Sequence, residues 1–430
     1  MKTTTLNNSI SVDKTLANLL LLYLASVIFT YPYGIPIVGD NYARIPDLFA
    51  LGMGGFAVTV WALQGKSKYR LQPLGAIAPF FALEIILPII GGIYYGSFSD
   101  SLSAMRVVFL YLPIVVCCLW LGITSSLKLE RRIDKLLRIA TIANLVYSII
   151  QLAVYIGILS RSFLLGTYLE SFVADEHYRE IQGLRTAGFF TTTTSFSVFG
   201  IVVLCYFLAK YKATEKMRYL IYLMLALILV LLSTARAAYV GIVLIFLFNI
   251  FSSKLSKSLK TISIITISVF LLLIILGNYF QIDYELFFQR FIRISEEGIE
   301  QDYSWQTRIE GIWPKVIAGM KNYPFGTLVP SYEIFGFIDS GYLTYYAQGS
   351  WLFIVGLLWF YISTFISLFT SKIKSRGWSV DFLYYLLLYI VPAMVVNNPM
   401  RSPTIVFALI YGLWFFSIEK KLVSKRFDWR

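Results

Sequence analysis

The chain has 430 residues, 58% of them hydrophobic and only 14% charged, with a formal net charge of +13. Its mean hydropathy is +0.71, and apolar runs of the length needed to cross a hydrocarbon core recur along it. These features exclude a sizeable soluble domain and predict an all-α polytopic membrane protein, with residues 1–430 forming a single integral membrane domain. Cys117, Cys118 and Cys205 all lie inside apolar runs and there is one histidine. A disulfide framework and a His- or Cys-built metal centre are therefore not indicated, and no metal, cofactor or nucleic acid is expected.

In chain order the pattern predicts about twelve transmembrane helices, at 15–33, 47–63, 74–96, 105–125, 138–158, 193–210, 218–234, 236–253, 261–280, 342–370, 380–396 and 403–419. Residues 1–13 are polar with only Lys2 basic, and the first run lacks a small-residue cleavage site, so it reads as a retained helix. Every second loop is basic, among them Lys128/Arg131/Arg132/Lys135/Arg138 and Lys210/Lys212/Lys216/Arg218. That alternation predicts a multi-pass topology with both termini cytoplasmic. Glu84, beside Pro88 in the third span, is the main acid within a span. A proton relay and an internally hydrogen-bonded structural carboxyl are both open to it.

The two sides differ in more than charge. Of 37 Lys plus Arg, 25 fall on the inner side, 17 of them Lys, whereas ten of the twelve on the outer side are Arg. Topology needs positive charge only on the inside, from either residue, so outer arginines call for another reason. The outer loops at 159–192 and 281–341 are long enough to build a site. Arg185 lies in the first, in Gly183-Leu184-Arg185-Thr186-Ala187-Gly188, ahead of four threonines and Ser195. Arg236 is 18 residues from both Arg218 and Lys254, about 27 Å each way as helix, which puts its guanidinium at or just below the outer interface. In the second loop, Trp305, Ile309, Ile312, Trp313, Val316, Ile317 and Met320 recur at helical spacing and predict an amphipathic helix, kinked at Pro314. Phe287, Phe288, Phe291 and Ile294 make a second apolar face whose neighbours Arg290 and Arg293 read as interfacial anchors. Arg401 tops a tight outer turn between Pro399 and Pro403.

Arginine suits such positions because its planar fork matches a phosphate in bidentate fashion and keeps its charge. Several together would bind a diphosphate at a lipid interface and stabilise it as it departs. Arg185, Arg236, Arg308 and Arg401 are thus candidate substrate-diphosphate ligands. Glu176, His177 and Asp339 are candidate general bases, with Glu180 and Glu310 further outer carboxylates; Asp339 could equally cap the helix starting near Gly341.

The Gly-Leu-Arg185 to Thr-Thr stretch, the Leu232-Ser233-Thr234-Ala235-Arg236 hairpin, and Arg308, Trp313, Tyr323-Pro324-Phe325-Gly326, Asp339-Ser340-Gly341-Tyr342 and Gln348-Gly349 together resemble the Wzy-type O-antigen and capsular polysaccharide polymerases of the O-antigen polymerase and ligase superfamily. The resemblance covers about 140–360 and rests on the order of short, degenerate motifs. It implies a GT-C-like glycosyltransferase of the bacterial plasma (inner) membrane. Such an enzyme would transfer a growing glycan from undecaprenyl diphosphate to an undecaprenyl-diphosphate-linked repeat unit at the outer face. It also implies, as partners, membrane lipid and a chain-length regulator and flippase of the same pathway. By position it carries diphosphate binding to Arg185 and Arg236, with Arg308 third. Ligases of this superfamily carry a His in the second long loop; residues 281–341 contain none, which favours polymerase. An O-antigen ligase and a lipid-linked oligosaccharide flippase are the alternatives.

Overall fold

A computed structural model describes residues 2–30, 34–38, 41–64, 75–96, 105, 111–164, 185–190, 192–252, 303–329, 332–372 and 377–427. Eleven longer helices organise them: α1 (Lys2–Phe29), α2 (Ile45–Gln64), α3 (Ala78–Tyr95), α4 (Leu112–Trp120), α5 (Ile123–Tyr155), α6 (Thr193–Thr214), α7 (Met217–Ser233), α8 (Arg236–Ser252), α9 (Gly341–Lys372), α10 (Trp378–Val396) and α11 (Pro403–Phe427). Six segments within them are long and apolar enough to cross a membrane, and the chain is a multi-pass helical membrane protein. The expected span at 261–280 lies outside the described residues.

The bundle is built around α6, which packs against α7, α10, α11, α8 and α5. Every side chain from Phe196 to Lys210 is buried, so this helix is hydrophobic on all sides rather than on one stripe. Helices that face the periphery expose apolar side chains instead: Trp351, Val355, Trp359, Ile362 and Ile366 of α9 and Ile86, Ile89, Ile90 and Ile93 of α3 are all exposed. In water such surfaces would be a liability; against lipid tails they are the expected finish.

The helices share two chemically distinct ends. At one, α5, α6, α10 and α11 bring together acids and lysines. Lys210 pairs with Glu130 and sits 4.0 Å over the Trp378 ring, Lys212 pairs with Asp381 at 3.2 Å, and Tyr206 Oη lies 3.3 Å from Asp134. Glu419 accepts a bond from Ser379. Arg185, Arg236 and Arg401 lie at the opposite end of the same helices, at the start of α8 and in the turns before α6 and α11.

Three features depart from the expected pattern. A short antiparallel hairpin, β1 (Gly34–Val38) and β2 (Asn41–Arg44), precedes α2, with Gly34 opposite Arg44 and Ile35 opposite Ala43; among the described residues the regular structure is otherwise helical. The basic segment 126–137, expected as a loop, is continuous helix in α5, whose 33 residues run about 50 Å. Arg138 and Asp134, one turn apart at 3.0 Å, show why: spaced opposite charges support helix. Finally α9 is not one straight rod. Gly349 (φ −140°) and Ser350 (φ +52°) break it, eight residues after its start.

Candidate functional site at the arginine end

The turn carrying Arg185 is held from below by two polar side chains of α5. Asn144 and Gln151 stand seven residues apart, two helical turns, and so share a face. Gln151 Oε1 accepts from the amides of Ala187 (3.0 Å) and Gly188 (3.1 Å), and its Nε2 donates to Gly188 O at 2.8 Å. Asn144 Oδ1 accepts from the Phe189 amide at 3.0 Å. Both side chains are buried, where bonds of this kind have no competing water. Phe189 stacks on Tyr147 at 4.6 Å and meets Phe29 edge-on. Gly188 has φ +53°, and a Cβ there would lie 2.4 Å from Asn144 Oδ1, so only glycine fits.

The same turn is tied to the hairpin between α7 and α8. The Thr186 amide and hydroxyl both reach Leu232 O, at 3.1 and 3.3 Å. Thr234 takes a left-handed conformation (φ +49°) that reverses the chain so that α8 begins at Arg236. Tyr239 Oη donates to Leu231 O at 2.9 Å, and the Arg185 charge acts on that tyrosine. One cluster of main chain therefore positions both Arg185 and Arg236. A cation in the first turn of a helix works against the macrodipole, which favours anions there. Arg236 and the first amides of α8 together make a place suited to a negative group.

Arg308 is built differently. The expected single helix over 305–320 is three pieces: helix at Tyr303–Gln306, a π-helical turn at Thr307–Ile312, and helix at Trp313–Gly319. In a regular α-helix the Pro314 ring would clash with the carbonyl of Glu310, four residues back. The wider turn avoids this by passing the Trp313 amide to Arg308 O, five residues back. It presents Arg308 to Asp339, with Arg308 Nε and Asp339 Oδ2 forming an ion pair. Trp305 and Trp313 pack edge to face on either side of that turn, 5.9 Å apart. Asp339 Oδ1 and Trp313 Nε1 are enclosed and make no hydrogen bond. Helix α9 is capped not by Asp339 but by Ser340, whose Oγ accepts from the Leu343 amide at 3.4 Å and donates to Met394 O at 3.3 Å.

Arg401 lies in a single 3-10 turn, Pro399–Arg401, and faces the interior. It donates to Gln348 Oε1 at 2.8 Å and sits 5.9 Å from the Tyr345 ring centre. Its charge bears on Glu84, a buried carboxylate that accepts from Tyr345 (3.0 Å) and lies 3.3 Å from Tyr111 Oη. Glu84 is thus an internally bonded carboxyl joining α3, α9 and the turn before α4. Gln348 immediately precedes the break in α9. The carbonyls of Ala347 and Gln348 accept from the amides of Thr327 and Leu328, at 2.8 Å each. The loop Tyr323–Leu328 folds in beside the break and supplies what the interrupted helix lacks, as non-helical backbone in a membrane protein requires. Gly326 (φ +88°) makes that approach possible, since a Cβ would stand 2.4 Å from Gln348 O.

The contacts thus gather the four arginines in two groups at one end of the bundle. Arg185 and Arg236 share the α5–α7–α8 cluster, whereas Arg308 with Asp339 and Arg401 with Gln348 border α9. Glu310 is exposed on the π turn. Glu176, His177, Glu180, Arg290 and Arg293 lie outside the described residues. Asn144 and Gln151 were missed by the sequence reading, although a polar side chain inside an apolar run is itself a signal of function or of an internal partner. No family model, no curated protein and no solved structure matches this chain.

Proposed function

We propose that the protein is a polysaccharide polymerase: a membrane glycosyltransferase of twelve spans and GT-C-like fold. It moves a growing glycan from undecaprenyl diphosphate onto an undecaprenyl-diphosphate-linked repeat unit and releases the carrier diphosphate. The observation that carries this reading is the joint positioning of Arg185 and Arg236 by one clamped turn, Thr186 to Leu232, at the end of the bundle opposite the lysines. Two guanidiniums beside a helix N-terminus are the chemistry of a diphosphate site. With the lysine-rich end cytoplasmic, this site faces the outer side of a bacterial inner membrane, where its lipid partner, a flippase and a chain-length regulator would meet it. The experiment is elongation of a purified lipid-diphosphate repeat unit by the purified protein without ATP. Glycan growth with release of the carrier diphosphate is expected. Transfer only to a lipid A core would favour a ligase, and movement of the lipid across the bilayer without growth would favour a flippase. Arg236→Lys keeps the charge but not the fork, and the loss of one bidentate, charge-assisted pair, roughly 1.5–3 kcal/mol, lowers elongation about 10- to 100-fold with normal membrane insertion. Full activity in that variant would remove Arg236 from the site.

A further inference from the structure

The Arg308–Asp339 pair has a geometry that diphosphate binding does not explain. Nε, on the edge of the guanidinium that a side-on phosphate contact would use, is committed to Asp339 Oδ2. The other carboxylate oxygen, Oδ1, is enclosed and has no hydrogen-bond partner. An enclosed acceptor without a donor is costly, and π turns recur at functional sites; here the π turn at Thr307–Ile312 carries Arg308 to the carboxylate. Ser340 takes over the capping of α9, which relieves Asp339 of the structural task its position would otherwise give it. Both side chains retain about one-sixth of their surface, 16% and 15%, so the pair borders the outside of the bundle end rather than its core.

We propose that Asp339 is the general base that takes the proton from the acceptor sugar hydroxyl, and that Arg308 is its positioning residue rather than a diphosphate ligand. The proposal rests on the polymerase reading above. In the step, the acceptor hydroxyl oxygen bonds to the anomeric carbon of the donor glycan and the bond from that carbon to the diphosphate oxygen breaks. The electron pair leaves with undecaprenyl diphosphate, and the hydroxyl proton passes to Asp339 Oδ1, which the acceptor sugar reaches by displacing the side chains that enclose it. Arg308 holds the carboxylate through Oδ2 and fixes its orientation. Trp305 and Trp313 flank the turn with apolar faces on which a sugar ring can rest.

The test compares purified wild type, Asp339→Asn, Arg308→Gln and Arg308→Lys for elongation of the lipid-diphosphate repeat unit, for binding of undecaprenyl diphosphate alone, and for thermal unfolding. Asp339→Asn should lose about 100-fold or more of kcat, the scale of a general base, with carrier binding unchanged. Arg308→Gln should lower kcat with KM and carrier binding unchanged, and Arg308→Lys should recover most of that loss, because holding Asp339 needs the charge and not the fork. Near-wild-type elongation by Asp339→Asn overturns the proposal while leaving the polymerase reading intact. Weakened carrier binding or a raised KM in both Arg308 variants overturns the positioning role. An asparagine variant whose loss is matched by lowered unfolding temperature and lost carrier binding also overturns it, as a structural role would. No elongation by wild type, with carrier binding absent, rejects the underlying reading itself.

Discussion

Replacing Gln151 with methionine isolates the clamp from the arginines it serves. The side chain is nearly isosteric, so α5 keeps its packing, but the three bonds to Ala187 N, Gly188 N and Gly188 O disappear. At about 1 kcal/mol net each the turn loses about 3 kcal/mol of attachment. Three main-chain groups cannot stay enclosed without partners, so the turn lifts rather than remaining in place. A tenfold change in an equilibrium corresponds to about 1.4 kcal/mol, so the docked fraction falls by about 100-fold relative to the lifted one. The bonds from Thr186 to Leu232 O and from Phe189 to Asn144 persist and limit the excursion. Two measurements read this: hydrogen exchange of the Ala187 and Gly188 amides, which should accelerate by one to two orders of magnitude, and elongation, which should fall as Arg185 leaves its position. The unfolding temperature of the bundle should move little, since none of the three bonds joins two spanning helices to each other. Unchanged exchange at Ala187 and Gly188 together with unchanged elongation would refute the reasoning, because Gln151 would then not be what holds the turn.

Deleting Gly311, whose backbone meets no neighbour that a side chain would touch, together with Pro314→Ala to remove the ring that opposes regular helix, should convert the π turn into α-helix and rotate the segment before it by about 100°. Arg308 then leaves Asp339, and elongation is lost in a protein that still unfolds cooperatively; retained elongation would show that the wide turn is incidental. Gly326→Ala should be among the most destabilising single changes in the loop, because a Cβ meets Gln348 O at 2.4 Å in a backbone of φ +88°. The expected readout is a lower unfolding temperature and easier proteolysis within 323–329, and a wild-type profile would contradict the docked position of that loop.

The helices were legible because apolar length is all a lipid environment asks of a span, and α6, α7, α8 and α10 lie where their runs of hydrophobic residues place them. What the runs did not show was the fate of the main chain. The break at Gly349–Ser350 depends on amides from Thr327 and Leu328, which no window centred on 349 contains. The basic stretch before Arg138 read as a loop because charge was counted without its spacing, yet Asp134 and Arg138 are a helical pair. At the site, the glycines beside Arg185 correctly marked a tight turn, and Gly188 is needed there. The partners of that turn, Asn144 and Gln151, come from a helix whose apolar average hid them. Pro314 suggested a kink, and its consequence is instead the π turn that hands Arg308 to Asp339. Asp339 sits where a cap is expected, and only the neighbouring Ser340 hydroxyl shows that the capping lies elsewhere.

The interrupted α9 also bears on how the protein is made. A segment of 32 residues enters a bilayer most readily as unbroken helix, with every carbonyl bonded within itself. The carbonyls of Ala347 and Gln348 can give up their helical partners only once the loop at 323–329, synthesised earlier, has come down beside them. Kinking is therefore coupled to docking, and the Gln348 that meets Arg401 sits at the hinge of that event. Arg401 belongs to a turn completed later still, just before the last helix. The arginine end takes its final form after the spans are in place, so variants that stall this step should yield protein that is fully inserted yet inactive.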